Sequence, residues 1–466
     1  MLPLPAARSL TAALRPADPV ARALTTSTAA ASAANGVFYS VSALFFTGVA
    51  GLAATTVGLG LTIAGVAGVL SALLAGRLCD AVGAHRVLAV ATAGQGAALL
   101  AYVLVRDPVA FTLVACAAVG CRAVQGTARS AVLAGAFPGP ERVAVRARLH
   151  VVVNVSIGLG TCAAALALLV GTAAAYSAAL VGTGLLTLLA CAPLRTLAGR
   201  VAAPPRRGGS GAGADAGRSP LRDGRYLALT ALNAVAGLHF GLQTVGVPLW
   251  IAARTDAPAV TVSLLMVLNT VLVASLQVRA SRGTHHVPTA ARAVALSGAL
   301  LALACALYAA SAAGGALVAV ALLVLAALVH ALAEVRGEAG AWGLSFELAD
   351  PRRPGAYQGV SQTGYALSAA AAPLLVTATA VDRGAAGWAV LAVLFAGAGA
   401  AVPLVVRGPQ PSRALRTRAS ASSARSAASA ASTRRSTTTV VSDSRSVAPS
   451  CSTSGSDHAT EGPAPT

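Results

Sequence analysis

Apolar and polar positions alternate along this chain in long blocks. Twelve stretches of mostly apolar residues, each about 20 residues or longer, occupy 29–50, 56–78, 86–105, 109–135, 150–171, 175–194, 226–251, 258–278, 292–311, 316–345, 357–380 and 385–406. At 1.5 Å per residue each is long enough to cross a hydrocarbon core about 30 Å thick. The narrowest breaks fall near Gly51, Gly171 and Gly314 to Gly315. Alanine, glycine and valine dominate the blocks, which suits helices that approach one another closely in a membrane. The pattern predicts an all-α integral membrane protein.

Two segments fall outside it. Residues 196–224, centred on a Pro-Arg-Gly-Ser-rich run, divide the blocks six and six and read as a linker. After Arg407 the chain turns to Ser, Thr, Arg and Ala, which read as a disordered tail over 408–466. The expected organisation is a segment 1–28, a six-helix bundle 29–195, the linker, a second bundle 225–407 and the tail. Residues 1–28 are read as a cytoplasmic lead-in, with an organelle transit peptide as the alternative. For the tail, simple solvation and contact with anionic inner-leaflet lipid both remain open.

Composition sharpens the membrane reading. Only 11% of the 466 residues are charged against 56% hydrophobic, whereas soluble domains carry about 25% charge. A net charge of +19 would point to nucleic acid in a soluble protein. Beside such long apolar blocks the charge is read as topological, and no nucleic-acid partner is expected. Every one of the 34 cationic residues is arginine, which removes P-loop, Schiff-base and kinase chemistry because each needs a lysine amine. Seven scattered cysteines without a C-x-x-C pair indicate neither a disulfide framework nor zinc, and no cofactor or metal is expected. Seventeen arginines, among them Arg77, Arg86, Arg142, Arg146 and Arg148, fall at breaks on one side, against Arg106, Arg254 and Arg383 on the other. The positive-inside rule therefore puts both termini and the linker in the cytoplasm.

Three motifs carry chemistry. Between the second and third blocks stands Gly76-Arg77-Leu78-Cys79-Asp80-Ala81-Val82-Gly83-Ala84-His85-Arg86, in which glycines permit a tight turn and an acid at the membrane edge can take a cation or a helix N-terminus. In the fourth block Arg122, Gln125, Gly126 and Arg129 share one helical face, and a charge at that depth should avoid lipid. The tenth block sets Glu334, Gly337, Glu338, Ala341 and Ser345 on one face.

These motifs resemble those of the major facilitator superfamily. The first resembles its G-x-L-x-D-R-x-G-R-R signature, with Ala81 and Ala84 where the family usually has basic residues. The second resembles its R-x-x-Q-G motif. The tenth block with Asp350 to Gly359 is similar to bacterial drug/proton antiporters. The resemblance implies two six-helix bundles rocking about a midplane site. It further implies transport and proton-coupling roles for Glu334, Glu338 and Arg122, and gating roles for Asp80, Gly76, Gly83, Arg86 and Arg129. Asn35, Tyr39, Gln125, Asn233, His239 and Gln243 then become substrate-cavity candidates, and for all of these but Gln125 glue between helices is the alternative. For Glu334 a permanent ion pair with Arg336 or a span 4 arginine is the alternative to coupling. Asp80 is expected to pair with Arg129 and also to face the start of the eleventh span near Pro354 and Gly355.

The function implied is secondary active transport of a small organic or amphiphilic solute through the lipid bilayer of the plasma (inner) membrane by a monomer. Proton-coupled efflux leads, with uptake or facilitated diffusion of a small metabolite as the alternative, since span 5 lacks the antiporter G-P-x-x-G-G. A transport-dead sensor on the same fold is a third reading. No enzyme motif is complete: H-E-x-x-H is absent, and Gly359-Val360-Ser361-Gln362-Thr363 breaks G-x-S-x-G at its last position.

Overall fold

The computed structural model describes residues 16–201 and 218–407, apart from the side chain of Ala54. The expectations for residues 1–15, for the centre of the linker and for the tail lie outside the described residues. Twelve helices are long and apolar enough to span a membrane: α1 Pro19–Val49, α2 Thr55–Val82, α3 Ala84–Leu104, α4 Pro108–Ala136, α5 Gly139–Val170, α6 Ala173–Leu197, α7 Gly224–Arg254, α8 Val260–Ala280, α9 Val287–Ala310, α10 Ala316–Glu347, α11 Pro354–Val381 and α12 Ala385–Val406. Among the described residues there is no strand.

Local chemistry sets the helix starts. Asp18, Asp107, Thr172 and Asp223 cap the first turns of α1, α4, α6 and α7 with their side-chain oxygens. Pro19 and Pro108 follow two of these caps, where a missing N–H costs nothing. The turn from α2 into α3 pivots on Gly83 at φ 99°, a conformation that favours glycine.

Two helices begin well before the sequence suggests. The first starts at Pro19, not at 29, because Thr25, Ser27 and Thr28 are buried against protein and lower the hydropathy of a segment that nevertheless forms helix. The fifth starts at Gly139, not at 150, and takes Arg142, Arg146, Arg148 and His150 into the helix.

Contacts between helices repeat from one half to the other. In the first half the packed pairs are α1 with α5, α1 with α6, α2 with α4, α3 with α4 and α3 with α6. Adding six to each number gives the principal pairs of the second half: α7 with α11, α7 with α12, α8 with α10, α9 with α10 and α9 with α12. The pairs joining the halves obey the same rule, α2 with α11 matching α8 with α5, and α4 with α11 matching α10 with α5. The chain is thus a structural duplication, although its two halves show no strong residue repeat.

Close packing within each half uses small residues. A Cβ on Gly36 would lie 2.2 Å from the carbonyl oxygen of Ile157, and one on Gly160 would lie 2.0 Å from that of Ala33, so α1 and α5 meet backbone to backbone. Gly237, Gly241 and Gly364 bring α7 against α11 in the matching place. Outward from these seams, Leu59, Val66, Leu70 and Leu74 of α2 are exposed on the protein surface, as lipid-facing positions should be.

Candidate functional site

The two halves meet most closely at the ends that carry the linker, here termed the linker face. Asp80, near the end of α2, accepts hydrogen bonds from the backbone N–H groups of Gly355 (2.7 Å) and Ala356 (2.8 Å) in the first turn of α11. Arg353 at the cap position gives that turn no side-chain cap, so Asp80 supplies one from the opposite half. Gly76 permits the approach: a Cβ there would sit 2.5 Å from the Gly355 carbonyl oxygen. Arg142 at the start of α5 pairs with Glu347 at the end of α10 at 2.7 Å, and lies 5.4 Å from the centre of the Phe346 ring. One turn along, Arg146 sits 5.3 Å from the centre of the Trp342 ring.

The expected Asp80–Arg129 pair is not what forms. Arg129 donates to the Thr28 hydroxyl at 3.2 Å, tying α4 to α1, while Asp80 reaches the helix N-terminus on the other half. An aspartate that accepts from two first-turn N–H groups is already well satisfied, so Asp80 has no need of the Arg129 guanidinium. Arg86 lies exposed just past Gly83, beyond this contact.

Deeper along the seam lies a buried ionisable cluster. Glu334 of α10 is 2% exposed. Its carboxylate stands 3.6 Å from Nε2 of His150, across the seam on α5, and accepts a hydrogen bond from Asn269 of α8 at 3.3 Å. Four residues on, Glu338 accepts a hydrogen bond from the Tyr365 hydroxyl of α11 and lies within electrostatic reach of Arg146. Four residues before Glu334, His330 contacts His239 of α7 at 3.2 Å and the Tyr308 hydroxyl at 3.4 Å. Spacing of four sets His330, Glu334 and Glu338 on one stripe of α10. The partner of Glu334 is therefore a histidine, while Arg336 is exposed.

The first half contributes arginine and amides. Arg122 donates to the Tyr39 hydroxyl at 3.1 Å, and both residues are exposed. Gln125 points instead to α3, donating to Gln95 at 2.7 Å and to the Ala91 carbonyl, and Gln95 in turn donates to Asn35. Asn35 and Gln125 thus join α1, α3 and α4; for Asn35 this is the glue alternative, while for Gln125, buried among these helices, it corrects the cavity expectation. His239 is likewise buried, in the second half.

Two cavities flank the cluster. One is lined by Gln243, Tyr308 and His330 among apolar residues of α7, α8 and α10. The other lies at the seam between Arg146, Asn233, Trp342, Gln362 and Tyr365, and the side-chain oxygen of Asn233 has no hydrogen-bond partner in it. Among the described residues no group of His, Cys, Asp or Glu is placed to hold a metal ion.

A model of the Major Facilitator Superfamily matches residues 24–373. The chain belongs to that superfamily. No curated protein sequence matches this facilitator. Among solved structures it is similar to the human organic anion transporter MFSD10, at 16% identity and a TM-score of 0.59, over 83% of this chain and 100% of that one. It is also similar to a bacterial homologue of the iron transporter ferroportin in an outward-facing state, at 14% identity and 0.64, over 83% and 98%. The proton:xylose symporter XylE, bound to 6-bromo-6-deoxy-D-glucose, matches at 14% identity and 0.60, over 83% and 95%. At these identities the likeness shows the fold, and the fold and the family agree on a solute transporter, not an enzyme.

His150, His330 and Tyr308 are the residues of the facilitator's cluster that sequence reasoning missed. His330 was within reach of it, since a histidine four residues before Glu334 must share its face. His150 was masked by the arginines around it.

Proposed function

We propose that this facilitator couples the movement of a small organic or amphiphilic solute to protons, with Glu334 as the proton-carrying group. The observation that carries the reading is the Glu334–His150 contact: a buried carboxylate faces, across the seam between the halves, a group that is charged only when protonated. Ionised glutamate beside protonated imidazole draws α5 and α10 together. Protonating Glu334 removes that attraction and leaves the seam free to part. A permanent arginine partner would hold the carboxylate ionised and uncouple it from pH. Glu338, bonded to Tyr365 beside Arg146, continues the polar track toward the linker face.

The direction we assign is efflux. It rests on the resemblance of the α10 to α11 segment to bacterial drug/proton antiporters. The excess of arginine on that side supports a cytoplasmic linker face, and we assign the protein to the plasma membrane as a monomer. Inside-out vesicles with an imposed pH gradient test the reading. Glu334→Gln keeps the shape and removes the proton site, so it should abolish gradient-driven solute movement while exchange without a gradient persists. Gradient-driven rates equal to the unaltered protein's would sink it.

A further inference from the structure

Arg122 lies mid-membrane, about 21 Å along α4 from Pro108 at 1.5 Å per residue. Which way it faces follows from its neighbours. One turn toward the linker face, Gly126 meets Gln362 of α11, with 3.2 Å from a Cβ built there to the Gln362 oxygen, and Ser130 accepts from the same Gln362. This face of α4 therefore looks at the opposite half. At Gly126 and Ser130 the halves touch, and at Arg122 they have parted: the guanidinium and the Tyr39 ring, 50% exposed, stand in the cleft above the closed seam.

The charge balance there is one-sided. Among the described residues neither Arg122 nor Arg129 has a carboxylate within ion-pair distance, whereas Arg142 pairs with Glu347 and His150 with Glu334. Glu334 and Glu338 both belong to α10 and have their own partners, His150 and Asn269 for one and Tyr365 for the other. Arg122 has a neutral partner. Moreover, the Tyr39 oxygen accepts from Arg122, which leaves the Tyr39 O–H itself to donate, and no acceptor for it is found among the described residues. A planar guanidinium and a phenol hydroxyl thus present N–H and O–H donors side by side between helices that are mostly aliphatic. An arginine this deep needs an anion, and its fork suits a carboxylate, sulfonate or phosphate group.

We infer that the cleft takes a small organic anion, its charged group held between the Arg122 guanidinium and the Tyr39 hydroxyl and its apolar body against these helices. This rests on reading the cleft as the solute path. It is independent of which residue carries the proton.

Benzoate serves as the probe, with benzyl alcohol and benzylamine as its neutral and cationic counterparts. An Ala43→Cys reporter, exposed one turn along α1 from Tyr39 on the same face, in a background free of the other cysteines and held in phosphatidylcholine nanodiscs, is reacted with the uncharged reagent methyl methanethiosulfonate. Millimolar benzoate should slow the reaction severalfold, and the two counterparts should not. Adding Arg122→Gln should abolish the protection. Arg122→Lys, which keeps the charge without the fork, should retain part of it, which separates lost binding from lost folding. Adding Glu334→Gln should leave the protection intact, so a failure of the coupling reading would show in the vesicle assay alone. Equal protection by benzyl alcohol or benzylamine, no protection by benzoate, or protection unchanged in Arg122→Gln overturns the inference.

Discussion

Replacing Asp80 with alanine should unlatch the linker face. The carboxylate makes two hydrogen bonds, of 2.7 and 2.8 Å, to the first turn of α11, whose own cap residue offers none. Losing a helix cap costs about 0.5 to 2 kcal/mol, and a hydrogen bond to a charged group contributes about 1.5 to 3 kcal/mol. Asp80 is half-buried, so water recovers part of the loss when the latch breaks. A net value of about 2 kcal/mol in favour of the closed face shifts the closed-to-open ratio roughly thirtyfold, at about 1.4 kcal/mol per factor of ten. Ser130 reads this shift well, being 1% exposed at the seam. A Ser130→Cys reporter in a cysteine-free background should react with N-ethylmaleimide an order of magnitude or more faster once Asp80→Ala is added. Asp80→Asn, which keeps an acceptor but loses the charge, should fall between. Labelling rates in Asp80→Ala within about twofold of the parent would show that the cap does not hold the face shut, since even the low end of the capping range, about 0.5 kcal/mol, predicts a larger change.

Three further outcomes follow from the packing and the ion pairs. Gly160→Ala places a Cβ 2.0 Å from the Ala33 carbonyl oxygen and should sharply reduce folded yield and melting temperature, whereas Gly158→Ala, with nothing within 4 Å, should be close to neutral in the same thermal assay. Glu347→Gln breaks the 2.7 Å pair with Arg142, but with side chains 15% and 18% exposed it should raise Ser130→Cys labelling by no more than about fivefold, corresponding to about 1 kcal/mol. Trp250→Phe removes an indole N–H that donates to the Tyr308 carbonyl at 2.8 Å and to Ser311, and should destabilise the second half by about 1 to 3 kcal/mol, read as a fall in denaturation midpoint.

The fold was legible because a bilayer imposes length and apolarity on every span, and that constraint is written continuously along the chain. It was least legible where a span spends polar residues on protein contacts. The buried hydroxyls of Thr25 and Thr28 hid the start of α1, and the arginines at 142, 146 and 148 hid the start of α5. Glu334 and Glu338 were found because an acid within an apolar run is conspicuous. Their partners come from other helices, and periodicity along one helix does not say which helix lies opposite. Gln125 shows the same limit, since sharing a face with Arg122 on paper did not prevent it from turning to Gln95.

The glycine-keyed seams between α1 and α5 and between α7 and α11 carry a mechanical consequence. With backbone against backbone, each half has little give, so the molecule's compliance is concentrated in the polar seam between the halves. Halves that are closed at the linker face and parted at Arg122 should take up more area in one leaflet than in the other. Reversing that asymmetry moves the area between leaflets, and the lateral pressure of each monolayer does work on every turnover. Lipids that crowd one leaflet therefore bias the resting state of this transporter without touching any of its sites.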